Sequence, residues 1–309
     1  MTALTNGARV MVLGAPADQG VPLVAALERR GFAVSAGVRR PDALAGTPVA
    51  HLPAVEANIM DPASLERAFA GHDALAMHLP FEFDRDRAAQ FGRNIAAGAA
   101  AADLKKIVFN TSCFVADHDL DLSAHDGRRD IERALEDTGI PCVFIEPVVF
   151  MDNIVRVWAK PSIVNHGIFA YSAAPDLKIS WVCLDDVAAC MAAALATDAA
   201  DGRHVPVGGP EALVGDEVAE RLSEAAGKPV RFQSISPDEF AARMSELVTG
   251  SREVAPLSIY DGMAKFYRFY NDQPVSPLVV DPDANRKLLG VEPTPMRDWL
   301  KRQDWTKAY

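Results

Sequence analysis

Short apolar runs alternate with stretches of helical periodicity through the first half of the chain. Ala8 to Leu13 is apolar and ends in Gly14-Ala15-Pro16-Ala17-Asp18-Gln19-Gly20, after which Val21, Leu23, Val24, Ala26 and Leu27 recur at helical spacing. This pattern predicts a strand, a turn and a helix, with Pro22 in the first helical turn and Gly31 as the stop before a second strand, Phe32 to Val38. The alternation continues with a strand near Val49 to Val55, a helix from Asp61-Pro62 to Phe69 and a strand from Ala74 to Leu79. A long alanine-rich helix within Asp84 to Ala102 and a strand from Lys106 to Asn110 follow. A polar stretch, Ala116 to Gly127, leads into a helix through Leu135 and a strand from Pro141 to Ile145. Strands separated by helices imply a parallel, doubly wound α/β sheet with right-handed crossovers, because a tight hairpin cannot join parallel neighbours.

Beyond Pro147 the rhythm loosens around prolines 161, 175, 206, 210, 230 and 237. Lys178 to Leu184 and Arg203 to Val207 still read as strands, bracketing an alanine-rich helix that begins near Asp185-Asp186. From Ala212 the pattern is mostly helical and carries the aromatic cluster Phe266, Tyr267, Phe269 and Tyr270. The expected organisation is a nucleotide-binding domain over residues 1–150, to which 178–207 return, and a smaller, mostly helical C-terminal substrate lobe from 151–177 and 208–309.

Composition narrows the function classes. A net charge of −11 repels nucleic acid and anionic lipid, so any bound anion must be captured by local geometry. No apolar run is long enough to span a bilayer and no basic leader opens the chain, so a soluble, cytoplasmic protein is expected. Cys113, Cys142, Cys183 and Cys190 lack Cys-x-x-Cys spacing and read as buried thiols. The Asp- and His-rich stretch from His118 to Asp126 matches no familiar zinc or calcium spacing, and no metal site is expected.

The chemistry begins at the first turn. A dinucleotide needs close backbone approach to its pyrophosphate and a helix N-terminus facing the charge, and Gly14 and Gly20 supply both in a Rossmann-type strand, turn and helix. Residues Gly14, Ala15, Pro16, Ala17, Asp18, Gln19 and Gly20 form the expected cradle, with Ala17 where glycine is common and Asp18 read as a helix N-cap. About twenty residues on, an acid would mark NAD and an arginine NADP. The chain offers Arg39 and Arg40, suited to a 2′-phosphate, although a solvated basic pair fits the same residues. Ligands of such sheets lie beyond the carboxyl ends of the strands, which assigns His78, Leu79, Pro80, Asn110, Thr111, Ser112 and Pro147 to Phe150 to the nicotinamide end. Ser112 and His125 are the candidate hydrogen-bond donors. Ser112 could instead close the strand end through local backbone bonds, and His125 could be a water-exposed residue where a helix begins. The Phe266 to Tyr270 aromatics fit an apolar substrate pocket, and fit core packing or a homodimer contact equally well.

Taken in order, these residues resemble the NmrA-like group of atypical short-chain dehydrogenases/reductases. The resemblance runs through Gly14-x-x-Ala17-x-x-Gly20, Val38-Arg39, Asp61-Pro62-x-Ser64-Leu65 and Lys106-Ile107-Val108-Phe109-Asn110-Thr111-Ser112. It continues in His125-Asp126-Gly127-Arg128, Gly139-Ile140-Pro141, Pro147-x-x-Phe150-Met151-Asp152-Asn153 and Trp181-Val182-x-Leu184-Asp185-Asp186-Val187-Ala188. It implies an NADP(H) site, to which Asn58 and Ile59 also belong, and a small-molecule substrate in a cleft between two lobes. Some members of the group reduce quinones, enones or related unsaturated compounds, and others are regulators that sense NADP(H). The chain departs from the wider pattern in three ways. No tyrosine has lysine four residues later, which removes the usual acid of carbonyl reduction. Arg128 stands where active relatives often carry lysine, and can anchor a ribose, a phosphate or an oxyanion without shuttling a proton. Glu146-Pro147 stands where Arg-Pro is common. The expectation is an NADPH-dependent reductase of a small, fairly apolar unsaturated substrate, with Ser112, His125 and Arg128 at the reacting centre; the alternative is a non-catalytic NADP(H) sensor.

Overall fold

The computed structural model describes residues 2–308 and divides into two compact units. The first comprises residues 1–147, 184–207 and 283–292, and the second residues 148–183, 208–282 and 293–309.

The first unit is built on a seven-stranded parallel sheet. Its strands are β1 (Arg9–Leu13), β2 (Ala33–Val38), β3 (Ala54–Glu56), β4 (Ala74–His78), β5 (Lys106–Asn110), β6 (Cys142–Pro147) and β8 (Arg203–Val207), in the spatial order β3-β2-β1-β4-β5-β6-β8. The order reverses between β1 and β4, so the crevice beyond their carboxyl ends is where a ligand of such a sheet binds. Register aligns Leu13 with Met77 and His78 with Asn110, which brings the residues after β1, β4 and β5 to one edge. Helices α1 (Gly20–Arg29), α2 (Pro62–Phe69), α3 (Arg85–Ala101), α4 (Ser123–Glu136) and α6 (Leu184–Leu195) cover the sheet.

Local chemistry explains the element limits. Asp61 caps α2 by accepting from the Ala63 amide at 3.0 Å, with Pro62 in the first turn, and Asp84 caps α3 through the Arg87 amide at 3.2 Å. Strands β4, β5 and β6 are buried along their whole length, and Leu75, Met77, Phe109 and Phe144 pack with Leu65, Phe69, Ile95, Ile131 and Leu135 from the helices. The small residues of α3 permit this packing: a Cβ on Gly92 would lie 2.8 Å from the Ile131 Cα. Pro206 is tolerated because β8 is an edge strand.

The second unit carries β7 (Ile168–Tyr171) paired in parallel with β9 (Arg231–Ser234), and helices α5 (Lys160–His166), α7 (Gly215–Ala226), α8 (Pro237–Thr249), α9 (Ile259–Asp272) and α11 (Met296–Lys301). Helix α10 (Pro282–Leu289) falls largely in the first unit. Among the described residues no helix is long and apolar enough to cross a membrane.

Three elements differ from the sequence reading. The strand expected over 49–55 shrinks to Ala54–Glu56, because Val49 and Leu52 reach the core from a turn and Pro53 interrupts the run. The strand expected over 178–184 is a pair of isolated bridges, Phe150 to Val182 and Ile179 to Leu213, that tie residues 178–183 into the second unit. Helix α4 starts at Ser123, inside the stretch read as a polar loop. There Asp126 turns its carboxylate back onto the amides of Leu120 (2.9 Å) and Leu122 (3.1 Å), which lets a polar segment be buried.

Candidate active site

The turn between β1 and α1 is compact enough to exclude side chains where it doubles back. Gly14 has φ +90°, a left-handed conformation that favours glycine, and its carbonyl accepts from the Ala17 amide at 3.0 Å. A Cβ on Gly20 would lie 2.0 Å from that same carbonyl oxygen and 2.6 Å from the carbonyl oxygen of Ala15. The N-cap of α1 is Gln19, not Asp18 as expected, and it makes no side-chain cap bond. Asp18 is exposed, one residue earlier, and no acid occupies the first turn. The positive end of α1 is therefore left open for an anion, and Ala17 is exposed, so its methyl does not obstruct the turn's own backbone bonds.

His78, the last residue of β4, holds the turn from the other side. Its Nε2 donates to the Gly14 carbonyl at 3.0 Å, and a Cβ on Gly14 would lie 2.5 Å from that nitrogen. Burial lowers the His78 pKa, and the Arg128 guanidinium adds to the effect against the Gly14 bond, so the ring is a neutral donor.

Arg39 and Arg40 follow β2 and are both exposed. Arg40 lies 3.6 Å from Asp42, whereas Arg39 forms no ion pair among the described residues. Beyond β3, Asn58 accepts from the Met60 amide at 3.0 Å, and the Ile59 carbonyl accepts from the buried Asn94 side chain at 2.9 Å. These bonds fix the loop after β3.

A polar group joins the first turn to the end of β5. The Gln19 Oε1 accepts from the Asn110 Nδ2 at 2.8 Å and from the Ser112 hydroxyl at 3.1 Å, while the Ser112 amide donates to the Asn110 Oδ1 at 2.8 Å. Ser112 has φ +63°, which costs a residue with a side chain about 1–3 kcal/mol and is held here by these bonds. Among the described residues no acceptor takes the hydrogens of the Gln19 amide nitrogen. The bridging role of Gln19 was not legible in the sequence, because its partners lie about ninety residues away. Thr111 faces elsewhere: its hydroxyl is fully buried and engages the carbonyls of Cys113 (2.5 Å) and Ile145 (3.1 Å).

His125 and Arg128 lie on α4, and both are 2% exposed, which corrects the reading of His125 as a water-facing residue. His125 packs against the Phe114 ring, with centroids 5.6 Å apart. Burial, with a smaller push from Arg128, drives its pKa down to about 3, so it is a neutral imidazole at pH 7 and cannot deliver a proton as imidazolium. Arg128 donates Nη2 to the carbonyls of Leu79 (2.7 Å) and Pro80 (3.0 Å) and lies 5.0 Å over the Phe81 ring. Burial lowers its pKa to about 10, and it remains a cation that fastens the segment after β4.

Glu146 is 4% exposed near the end of β6, accepts from the Val115 amide at 3.3 Å and takes the His204 Nδ1 at 2.8 Å. Pro147 closes the strand, and Phe150 belongs to the second unit. In that unit the aromatics are core: Tyr267 packs edge-on against Tyr171 and Phe240, and the Tyr171 and Tyr267 hydroxyls meet at 2.8 Å. Burial pushes Tyr267 up to about 12, which keeps its hydroxyl protonated and a weaker acid than an ordinary tyrosine. Of the cluster, Tyr267 and Tyr270 are buried, so core packing accounts for them, while Phe266 and Phe269 are half-buried.

The family model described as NmrA-like family matches residues 6–300. A (4-alkanoyl-5-oxo-2,5-dihydrofuran-3-yl)methyl phosphate reductase of Streptomyces griseus is 32% identical over 298 residues, covering 94% of this chain and 96% of that protein. Among solved structures, the NADPH-dependent quinone oxidoreductase QOR2 of Escherichia coli, complexed with NADPH, superposes with a TM-score of 0.77 at 23% identity, covering 95% of this chain and 99% of its own. NmrA, a negative transcriptional regulator, superposes with a TM-score of 0.75 at 14% identity over 98% and 100% of the two chains. At these identities the two structures show a shared fold.

Proposed function

The chain belongs to the NmrA-like family, and on that footing we propose that it is an NADPH-dependent reductase of a small, fairly apolar, conjugated substrate such as an enone or quinone. The observation that carries the proposal is the cradle at the open end of α1, where the Gly14 carbonyl leaves no room for a side chain on Gly20. The amides of this turn bind the pyrophosphate, Arg39 takes the 2′-phosphate, and His78 keeps the turn closed. When bound, the nicotinamide supplies a hydride.

What the protein adds is orientation, exclusion of water and a donor for a developing oxyanion. Ser112, with Asn110 and Gln19, positions the reacting groups, and the Gln19 amide nitrogen is the free donor. Arg128 sets the segment after β4, and His125 packs under Phe114 after β5. A conjugated acceptor suits such a site, because the proton that follows hydride addition can come from solvent. The reductase of Streptomyces griseus, whose named substrate is an oxo-dihydrofuran, and the quinone oxidoreductase of Escherichia coli support this substrate class. A cytoplasmic location accompanies the reading, since such an enzyme draws on the soluble NADPH pool.

The test mixes pure protein and NADPH with a panel of quinones, enones and imines and follows the reduced cofactor by absorbance. Consumption should be faster with NADPH than with NADH. Arg39→Ala should weaken NADPH about 10- to 100-fold, the worth of a charge-assisted bond, and leave NADH within about twofold. Tight NADPH binding without consumption across the panel would favour a regulator, and equal loss for both cofactors would remove Arg39 from the site.

A further inference from the structure

Three side chains that the reductase reading does not use converge on one point of the first unit. Glu132 comes from α4, Glu146 from β6 and His204 from the edge strand β8, and their ligand atoms all lie within 4.8 Å of one another. The His204 Nδ1 is 2.8 Å from the Glu146 Oε1 and 3.6 Å from the Glu132 Oε2. Ligand atoms about 2.0–2.1 Å from a tetrahedral ion stand roughly 3.3 Å apart, so both separations are close to those of a metal shell.

The burial is harder to explain without an ion. Glu132 is 1% exposed and neither of its carboxylate oxygens accepts a hydrogen bond, although a buried carboxylate normally takes several. Glu146, 4% exposed, is a second buried carboxyl group beside it. The His204 imidazole faces both, but its hydrogen bond goes to Glu146 and leaves Glu132 without one. Arg128, one turn before Glu132 on α4, is committed to the carbonyls of Leu79 and Pro80. On its far side the imidazole is already dressed as a metal ligand: Nε2 lies 3.3 Å from the Glu136 Oε1, the carboxylate–histidine pairing that holds a ligating ring in the correct tautomer. The His204 side chain is 45% exposed, which gives an ion a route from solvent and leaves room for water in a fourth position.

We propose that Glu132, Glu146 and His204 bind one divalent cation of the zinc class, with Glu136 as the outer partner of the imidazole, and that the ion ties α4 to β6 and β8. The local spacing that argued against a metal in the 118–126 stretch is silent here, because the three ligands are drawn from positions as much as 72 residues apart. The proposal is independent of the reductase reading.

The test is calorimetric titration of zinc chloride into the tag-free, chelator-stripped full chain, with NADPH binding and far-ultraviolet circular dichroism as checks of the fold. Wild type should take up one ion per chain and unfold at a higher temperature with zinc than without it. Glu132→Gln and His204→Gln should each weaken zinc about 100-fold or more, and Glu136→Gln about 10- to 100-fold. Should Glu132→Gln fail to fold, His204→Gln at the sheet edge carries the same comparison. No zinc uptake by wild type at 100-fold molar excess overturns the proposal, as does uptake that both ligand variants retain.

Discussion

The burial of His125 makes a stability prediction whose size can be worked out. In the unfolded chain an imidazole titrates near 6.5, whereas in the folded protein burial holds His125 down to about 3. Between these values the unfolded state binds a proton that the folded state refuses, so stability rises with pH across the window and falls on acidification. At pH 7.5 the effect vanishes. At pH 4.5 the unfolded imidazole is about two units below its midpoint, and the folded protein has lost about 2.6 kcal/mol. The figure hardly changes if the folded value is as high as 4, because pH 4.5 lies above it in either case.

The perturbation is His125→Gln, which removes the titrating group, and the assay is urea unfolding at both pH values. All four tryptophans, Trp158, Trp181, Trp299 and Trp305, lie in the second unit, so fluorescence would follow that unit rather than α4. Far-ultraviolet circular dichroism or amide exchange in α4 reports the relevant unfolding. Wild type should lose about 2.6 kcal/mol more than the variant between pH 7.5 and 4.5, every other titrating group being common to both. A difference below about 0.5 kcal/mol would mean that the ring is solvated and free to charge, and the argument against His125 as an imidazolium donor would fail with it.

Three further outcomes test the geometry of the site. Gly20→Ala drives a methyl into the Gly14 carbonyl, and should cost about 1–3 kcal/mol of stability and weaken NADPH binding in calorimetry. Ser112→Gly and Ser112→Ala both lose the bond to Gln19, but only glycine relieves the left-handed backbone; the glycine variant should be about 1 kcal/mol more stable in denaturant titration, and both should turn over more slowly. Tyr267→Phe deletes one buried hydroxyl contact and should cost about 1 kcal/mol in thermal unfolding while leaving reductase rates within about twofold, as a core residue should.

What could be read from the sequence divides by range. The β1, turn and α1 unit is legible because apolar periodicity, two glycines and a proline act within about fifteen residues. So are the helices capped by Asp61 and Asp84, whose signals are local. Strands β7 and β9 escaped notice because each has four residues and pairs with a segment about sixty residues away. Polarity misled around α4. The residues from Ala116 to Gly127 read as a polar stretch with His125 facing water, yet Asp126 is buried on two loop amides and His125 is buried on α4. Composition reports how polar a segment is, and only the pairing of those groups says whether it faces water.

The same pairing explains the placement of arginine at 128. A lysine there would offer one ammonium to a substrate. Arg128 instead donates one guanidinium nitrogen, Nη2, to two backbone carbonyls and lies over an aromatic face, keeping its charge when buried. It carries the segment after β4, and with it His78, which in turn closes the Gly14 turn. The neighbouring His125 is held neutral and the buried tyrosines are held protonated, so no side chain among these is poised to exchange a proton near pH 7. On the proposed function, such a site suits acceptors whose reduction is governed by hydride delivery and oxyanion placement, and the residues that position the Gly14 turn should matter more to its rate than an acid would.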